Sequence, residues 1–199
     1  LPVELEGNES AFIVFRKNNK LTETKDNFPQ KVTVCKINTP WRITFEAGKR
    51  GRETPVVWSQ LKDWMNSEND SIKYFSGQAV YETTFTLEKL PQKNLYIDLG
   101  NVMVMAKVTL NGQYVGGVWT FPYRLNVTGY LKEGENKLEI TVVNNWQNRL
   151  IGDQRLPEDQ RLTWTTINPW KADSSLQSSG LLGPVELSLI HISEPTRLR

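Results

Sequence analysis

The 199-residue sequence predicts an all-β protein, a sandwich of antiparallel sheets, and three observations carry that prediction. Apolar and polar residues alternate in many short runs bounded by Gly, Pro and Asn, the period of strands with one buried face. Asn111-Gly112 joins two such runs, and those two residue types tolerate the positive φ that a type I′ hairpin turn demands at both central positions. No segment sustains helical periodicity beyond a turn or two, and no internal repeat is visible, which points to a sandwich or barrel.

In chain order, strands are expected at residues 11–15, 31–37 and 41–45, the last with Trp41, Ile43 and Phe45 on one face. Polar, turn-rich stretches separate them at 18–20 and 25–29. Three strands make too small a sheet to stand alone, so residues 1–46 are expected to be the last strands of a preceding β domain. The sequence AGKRGRETP, from Ala47 to Pro55, has a linker's composition, and the boundary is expected at 47–57. Ser59 is expected to cap a short helical turn through Leu61, Asp63 and Trp64, broken by residues 66–71.

Strands follow at 79–87, with Tyr81, Thr83, Phe85 and Leu87 on one face, and at 95–99, with Leu95, Ile97 and Leu99 aligned. The run 102–110 leads into the Asn-Gly turn and returns through Tyr114 and Val115, where Gly116 and Gly117 predict a bulge or tight bend. Pro122-Tyr123 opens a run through Leu125 and Val127, and a last long strand after Gly134 carries Leu138, Ile140 and Val142. The buried faces around the hairpin must meet a second layer, which the runs at Ala79 and Leu95 are expected to supply. Between Trp146 and Val185 the chain is irregular for about 35 residues, a length that marks functional or disordered loops. Its Trp164, Ile167 and Trp170 argue against plain disorder. Gly180, Gly183 and Pro184 suit a sharp turn into a final strand, so the sandwich is expected to span 58–187.

Composition bounds the function. With 38% hydrophobic and 23% charged residues, and no apolar run near the roughly 20 residues of a membrane span, no membrane crossing by a helix is expected. A net charge of +2 with interleaved signs gives no basic stripe for phosphates, which argues against nucleic acid as a partner. A single cysteine, Cys35, permits no internal disulfide, and there is no GxGxxG or P-loop. The chain opens on Leu1 rather than Met and goes directly into strand-like sequence, so an internal fragment is expected. The run LSLIHISEPTR resembles the translated read-through of a sequencing adapter, so residues 188–199 are expected to be a non-native tail. That tail holds His191, the only histidine, which removes support for histidine-based triads and metal sites. No cofactor is expected. A structural Ca²⁺ would need several oxygen ligands, and no spacing here identifies them.

Residues 79–143 resemble the sugar-binding, galactose-binding-like jelly-roll domain of family 2 glycoside hydrolases. The shared features are the Tyr81-centred strand, Asn111-Gly112, Gly116, Pro122-Tyr123, and Gly134-Glu135-Asn136 leading to Asn144. More closely, DWMNSENDSIKYFSGQAVYETTF, IDLGNV, NNWQNRLIGD and SGLLGPVEL are similar to the C-terminal part of large bacterial α-L-rhamnosidases of glycoside hydrolase family 106. ESAFIVFRK resembles the segment before that domain. The resemblance implies a noncatalytic accessory β-sandwich, scaffold or carbohydrate-binding, on a multidomain glycosidase of plant or microbial polysaccharide breakdown. Its implied partners are the catalytic domain of the same parent chain and an oligosaccharide, and its implied setting is periplasmic or secreted in a bacterium. The family's catalytic motifs are not in these residues, so no catalytic residue is carried over.

A glycosidase site needs two carboxyl groups roughly 5–9.5 Å apart. Asp98, Glu158 and Asp159 read as solvated surface, whereas Asp153, ending NRLIGD, reads as a partner of Arg149 that pins the long loop or touches sugar. Seven tryptophans supply the flat apolar surfaces that sugar C–H faces stack on. Trp41 and Trp64 sit in core patterns; Trp119, Trp146, Trp164 and Trp170 come from loops or strand ends. The candidate saccharide-binding or docking set is therefore Trp119, Tyr123, Asn144, Trp146, Asn148, Arg149, Asp153, Trp164 and Trp170. Two other functions stay open: hydrolysis by the chain itself through loop carboxylates such as Asp153, and a pure protein-interaction module.

Overall fold

The computed structural model describes residues 5, 7, 10–14, 30–91 and 94–191. Two antiparallel sheets face each other. The larger runs in the order β3 (Val56–Trp58), β2 (Trp41–Phe45), β4 (Gln78–Leu87), β10 (Gly134–Val143), β7 (Met105–Leu110) and β8 (Gln113–Val118). The smaller has the order β1 (Gln30–Lys36), β12 (Glu186–His191), β5 (Leu95–Asp98) and β9 (Arg124–Asn126). A short ladder of β11 (Gly180–Gly183) and β6 (Asn101–Met103) stands beside them. Two helices are short: α1 (Asp70–Lys73) and α2 (Gln147–Asp153).

The longest pairing, β4 with β10, runs unbroken from Gln78 opposite Val143 to Leu87 opposite Gly134. Its register sets Tyr81 beside Ile140 and Ala79 beside Val142, so both strands bury one apolar face together. Across the core, Ile97 of β5 and Leu187 of β12 pack in the same apolar cluster as Val108, Leu110 and Ile140. Of the two runs expected to form the second layer, the one at Leu95 does so, while the one at Ala79 joins the hairpin's own sheet. The turn is as the sequence predicts, with φ of 52° at Asn111 and 80° at Gly112. Val108 pairs with Gly116 but Thr109 with Tyr114, so Val115 is the extra residue of a bulge. A Cβ on Gly116 would come within 3.0 Å of Leu125, which explains a glycine there.

The expected division at 47–57 is not a division of the folded unit. β1 pairs with β12 and β2 with both β3 and β4, so residues 30–45 belong to the sandwich that residues 58–187 were expected to form alone. The cause is the Trp41, Ile43, Phe45 face, which is buried in the common core; AGKRGRETP is the connection between two paired strands. The strand expected at 11–15 is absent from 11–14, where Phe12 is 98% exposed, and residue 15 and the turns at 18–20 and 25–29 lie outside the described residues. The expected tail also begins inside the fold. β12 continues to His191, paired with β1, and Leu187, Ser188 and Ile190 are all buried. Residues 192–199 lie outside the described residues.

Ser59 caps nothing. Asp63 caps a 3-10 turn at Trp64–Asn66, its Oδ1 accepting from the Met65 N–H at 3.0 Å and from the Ser179 N–H at 2.9 Å. Asn69 caps α1 in the stretch expected to break helix, accepting from the Ser71 N–H at 2.9 Å.

Candidate functional site

The site grows from the end of β10. Asn144, the first residue past the strand, is buried and donates from Nδ2 to the Phe75 carbonyl at 2.6 Å while Oδ1 accepts from the Gly77 N–H at 3.1 Å. Both backbone groups of a neighbouring connection are thereby satisfied by one amide. Asn145 accepts from the Gln147 N–H at 3.1 Å, serving a free donor at the start of α2. Trp146, at the α2 N-cap position, makes no capping bond and leaves its ring 67% exposed.

Helix α2 buries a polar face. Asn148 accepts from the Gln177 N–H at 2.8 Å and donates to the Gln177 carbonyl at 2.6 Å and to Ser179 Oγ at 2.8 Å. Arg149 Nη2 meets Asp153 Oδ1 at 2.8 Å, an i,i+4 pair with side chains only 8% and 2% exposed. The other oxygen, Oδ2, accepts from the Leu162 N–H (3.1 Å), the Thr163 N–H (2.9 Å) and the Thr163 hydroxyl (2.5 Å). Burial pushes the Arg149 guanidinium below its ordinary value, and Asp153 pulls it the other way. Gly152 is required by packing: a Cβ there would lie 2.6 Å from Tyr74 Cγ. Arg155 stacks 5.5 Å from the centre of the same ring and donates from Nε to the Ala172 carbonyl at 3.2 Å.

Asp153 therefore pins the loop, and the next residue after its last partner is Trp164, 85% exposed. Trp164 and Trp146 line one cleft of about 390 Å³ together with Asn144, Arg149, Gly77 and Lys49. Of the nine predicted residues, Asn144, Trp146, Arg149 and Trp164 are brought together here. Asn148 and Asp153 act beneath it as anchors. Trp119, 69% exposed, and half-buried Tyr123 lie in the β8–β9 region, and half-buried Trp170 lies farther along the loop; none of these three lines the cleft. Lys49, Ser76 and Gly77 are contributors that sequence reasoning missed, Lys49 because AGKRGRETP has the composition of a linker. A larger hollow of about 680 Å³ between Arg52, Trp58, Asp63 and Asn69 contains none of the predicted residues.

Asp98 is not simply solvated: Lys31 Nζ lies 2.9 Å from it, and its Oδ1 accepts from the Gly100 N–H at 3.0 Å. Glu158 and Asp159 are exposed in a 3-10 turn. Among the described residues, no three His, Cys, Asp or Glu side chains converge as a metal site. What the cleft offers is two indole faces, amide and hydroxyl hydrogen-bonding groups and cationic side chains, the equipment for a polar ring with apolar faces.

A two-sheet antiparallel sandwich of this kind is a galactose-binding-like β-sandwich. The profile of the family described as glycosyl hydrolase 2 galactose-binding domain-like matches residues 57–177, more than half of the sequence, and the chain belongs to that family. Over 161 residues the chain is 42% identical to a putative beta-glucuronidase of Formosa agariphila, which covers 68% of this chain and 14% of that relative. The solved rhamnosidase from Novosphingobium sp. PP1Y superposes with a TM-score of 0.75 at 35% identity, over 87% of this chain and 16% of that one. A beta-glucuronidase from an uncultured Clostridium sp. shares the fold, with a TM-score of 0.55 at 20% identity over 84% of this chain and 30% of that one. The chain thus spans about a sixth or less of the first two proteins, and both a rhamnosidase and a beta-glucuronidase share its sandwich.

Proposed function

We propose that this chain is a noncatalytic accessory region of a multidomain glycoside hydrolase resembling α-L-rhamnosidase, and that the cleft between Trp146 and Trp164 holds part of a plant or microbial polysaccharide. The observation that carries the proposal is the pair of exposed indoles on one cleft, held by side chains whose own polar groups are engaged elsewhere. The 35% identity to a rhamnosidase supports the enzyme class; the putative beta-glucuronidase supports glycoside hydrolysis more generally. Both oxygens of Asp153 are committed to Arg149 and to residues 162–163, which leaves no free carboxyl oxygen for a glycosidic bond and disfavours hydrolysis by this chain. Titration calorimetry with rhamnose-containing oligosaccharides and pectic fragments tests the proposal. Binding with Kd on the order of 1 mM, about −4 kcal/mol, is expected. Silence at every ligand up to several times that concentration would leave only a scaffold role.

A second occupant is favoured by a specific observation. Leu162, Trp164 and Ile167 expose apolar surface along one loop, with Ile167 at 79%, and another domain of the parent chain would cover it. Self-association of the isolated chain on a sizing column, abolished by Ile167→Ser, would support docking over sugar.

A further inference from the structure

We infer that the cleft between Trp146 and Trp164 selects anionic saccharides, those carrying a carboxylate or a sulfate ester. The inference rests on the saccharide proposal for the same cleft and specifies the chemical class of its ligand.

Two cations, Lys49 and Arg149, are among the residues lining the cleft, and two carboxylates stand directly behind its wall: Asp153, paired with Arg149, and Glu46, whose Oε2 lies 2.9 Å from where a Cβ on Gly77 would stand. With Arg149 paired to Asp153, the lining still presents Lys49, for which no ion pair is seen among the described residues. The nearest carboxylates are engaged. Asp153 is held by Arg149 Nη2 and by the Leu162 and Thr163 N–H groups, and Glu46 Oε2 accepts from the Gln78 N–H at 3.1 Å, so neither carboxylate is free to turn into the cleft. Exposed Lys49 stands at the rim beside Gly77, whose N–H Asn144 holds: its Cγ lies 3.6 Å from where a Cβ on Gly77 would stand.

Arg149 is the less satisfied cation. Asp153 takes Nη2, but Nε is buried without a hydrogen-bond partner, and the charge of Arg50 acts on it unfavourably. A buried cation matched by one carboxylate and crowded by another cation gains from any further negative charge nearby. Exposed Lys49 supplies a mobile ammonium, and the two indoles hold a ring beside both cations.

The test compares three probes on the purified chain by calorimetry: trigalacturonate, its fully methyl-esterified form, and 6-O-sulfated galactotriose. At about 0.05 M salt the ester should bind about tenfold more weakly than the acid, and the gap should shrink at about 0.5 M salt as screening shortens the Debye length. Lys49→Glu should remove most of the preference, whereas Lys107→Glu, on exposed β7 surface, should leave it. Strong binding of the sulfated trisaccharide alone would identify the anion as a sulfate ester, and of the acid alone as a carboxylate; either supports the inference. Equal binding of acid and ester, both lost in Trp164→Ala, would overturn charge selection and keep the saccharide site. No binding of any probe, with Trp164→Ala indistinguishable from the parent, would overturn both.

Discussion

The β4–β10 ladder buries mainly apolar side chains, and the segment 147–179 mainly polar ones. In the ladder Tyr81, Phe85 and Leu87 lie against Leu138, Ile140 and Val142 in the core, while Glu82 and Lys137 meet at 3.0 Å on the outer face. In the segment Ile151 is buried together with the polar Asn148, Arg149, Asp153 and Ser179, while Trp164 and Ile167 are exposed. Apolar burial holds the ladder by area removed from water, about 25 cal/mol per Å², and tolerates no exposed remainder. Polar anchoring holds the loop by a few directed bonds and leaves its aromatic surface free. The proposed binding surface is built by the second method.

The two regions should fail differently. Trp64→Ala should have the largest effect. Its ring is fully buried in edge contacts with Phe45 and Phe75, and its Nε1 donates to the Tyr81 hydroxyl at 2.6 Å. A loss of about 3–5 kcal/mol is expected in urea unfolding, with the slope unchanged. Asp153→Asn should cost less, about 2–3 kcal/mol, because it uncharges an acceptor of three hydrogen bonds and leaves Arg149 buried without its counter-ion. Its signature is local: faster amide hydrogen exchange at Leu162 and Thr163 with β4 and β10 unchanged. Exchange rising uniformly would mean that the loop is not a separate unit. Asn148→Ala should cost about 1–2 kcal/mol and loosen residues 177–179 in the same assay.

The outer face of the ladder gives the smallest effect. Hydrogen bonding from Lys137, and then from Arg42, holds the Glu82 carboxyl below the ordinary carboxylate range. A depressed value in the folded state means that its stabilisation is present above the unfolded value and disappears as pH falls through the folded one. Acid unfolding followed below about pH 4.5 should show a shallower decline in Glu82→Gln, by about 0.3–1 kcal/mol for a partly exposed cluster. An identical decline would remove the cluster from the account.

The ladder was legible because alternation is its cause: the register of Tyr81, Ile140 and Val142 follows from the same period that the sequence displays. The Asn111-Gly112 hairpin was legible for an equally local reason, the φ it requires. Sheet membership was not, since nothing local shows that residues 41–45 pair with 79–82 rather than with a lost neighbour. Helix α2 escaped notice because it buries Ile151 among Asn148, Arg149 and Asp153, which leaves no apolar period to read. The cleft was half legible. Exposed tryptophans at strand ends and loops pointed to Trp146 and Trp164, but Trp119 and Trp170 carried the same signal and lie elsewhere, and Lys49 carried none.

The central claim is that Trp164 belongs to the ligand and not to the fold, and one variant tests it. Trp164→Ala should change unfolding free energy by less than about 0.5 kcal/mol, as expected for an exposed side chain, while abolishing saccharide heat in calorimetry. Unchanged binding with intact stability would contradict the cleft, and a loss of several kcal/mol of stability would contradict the picture of a polar frame that leaves its aromatic surface free.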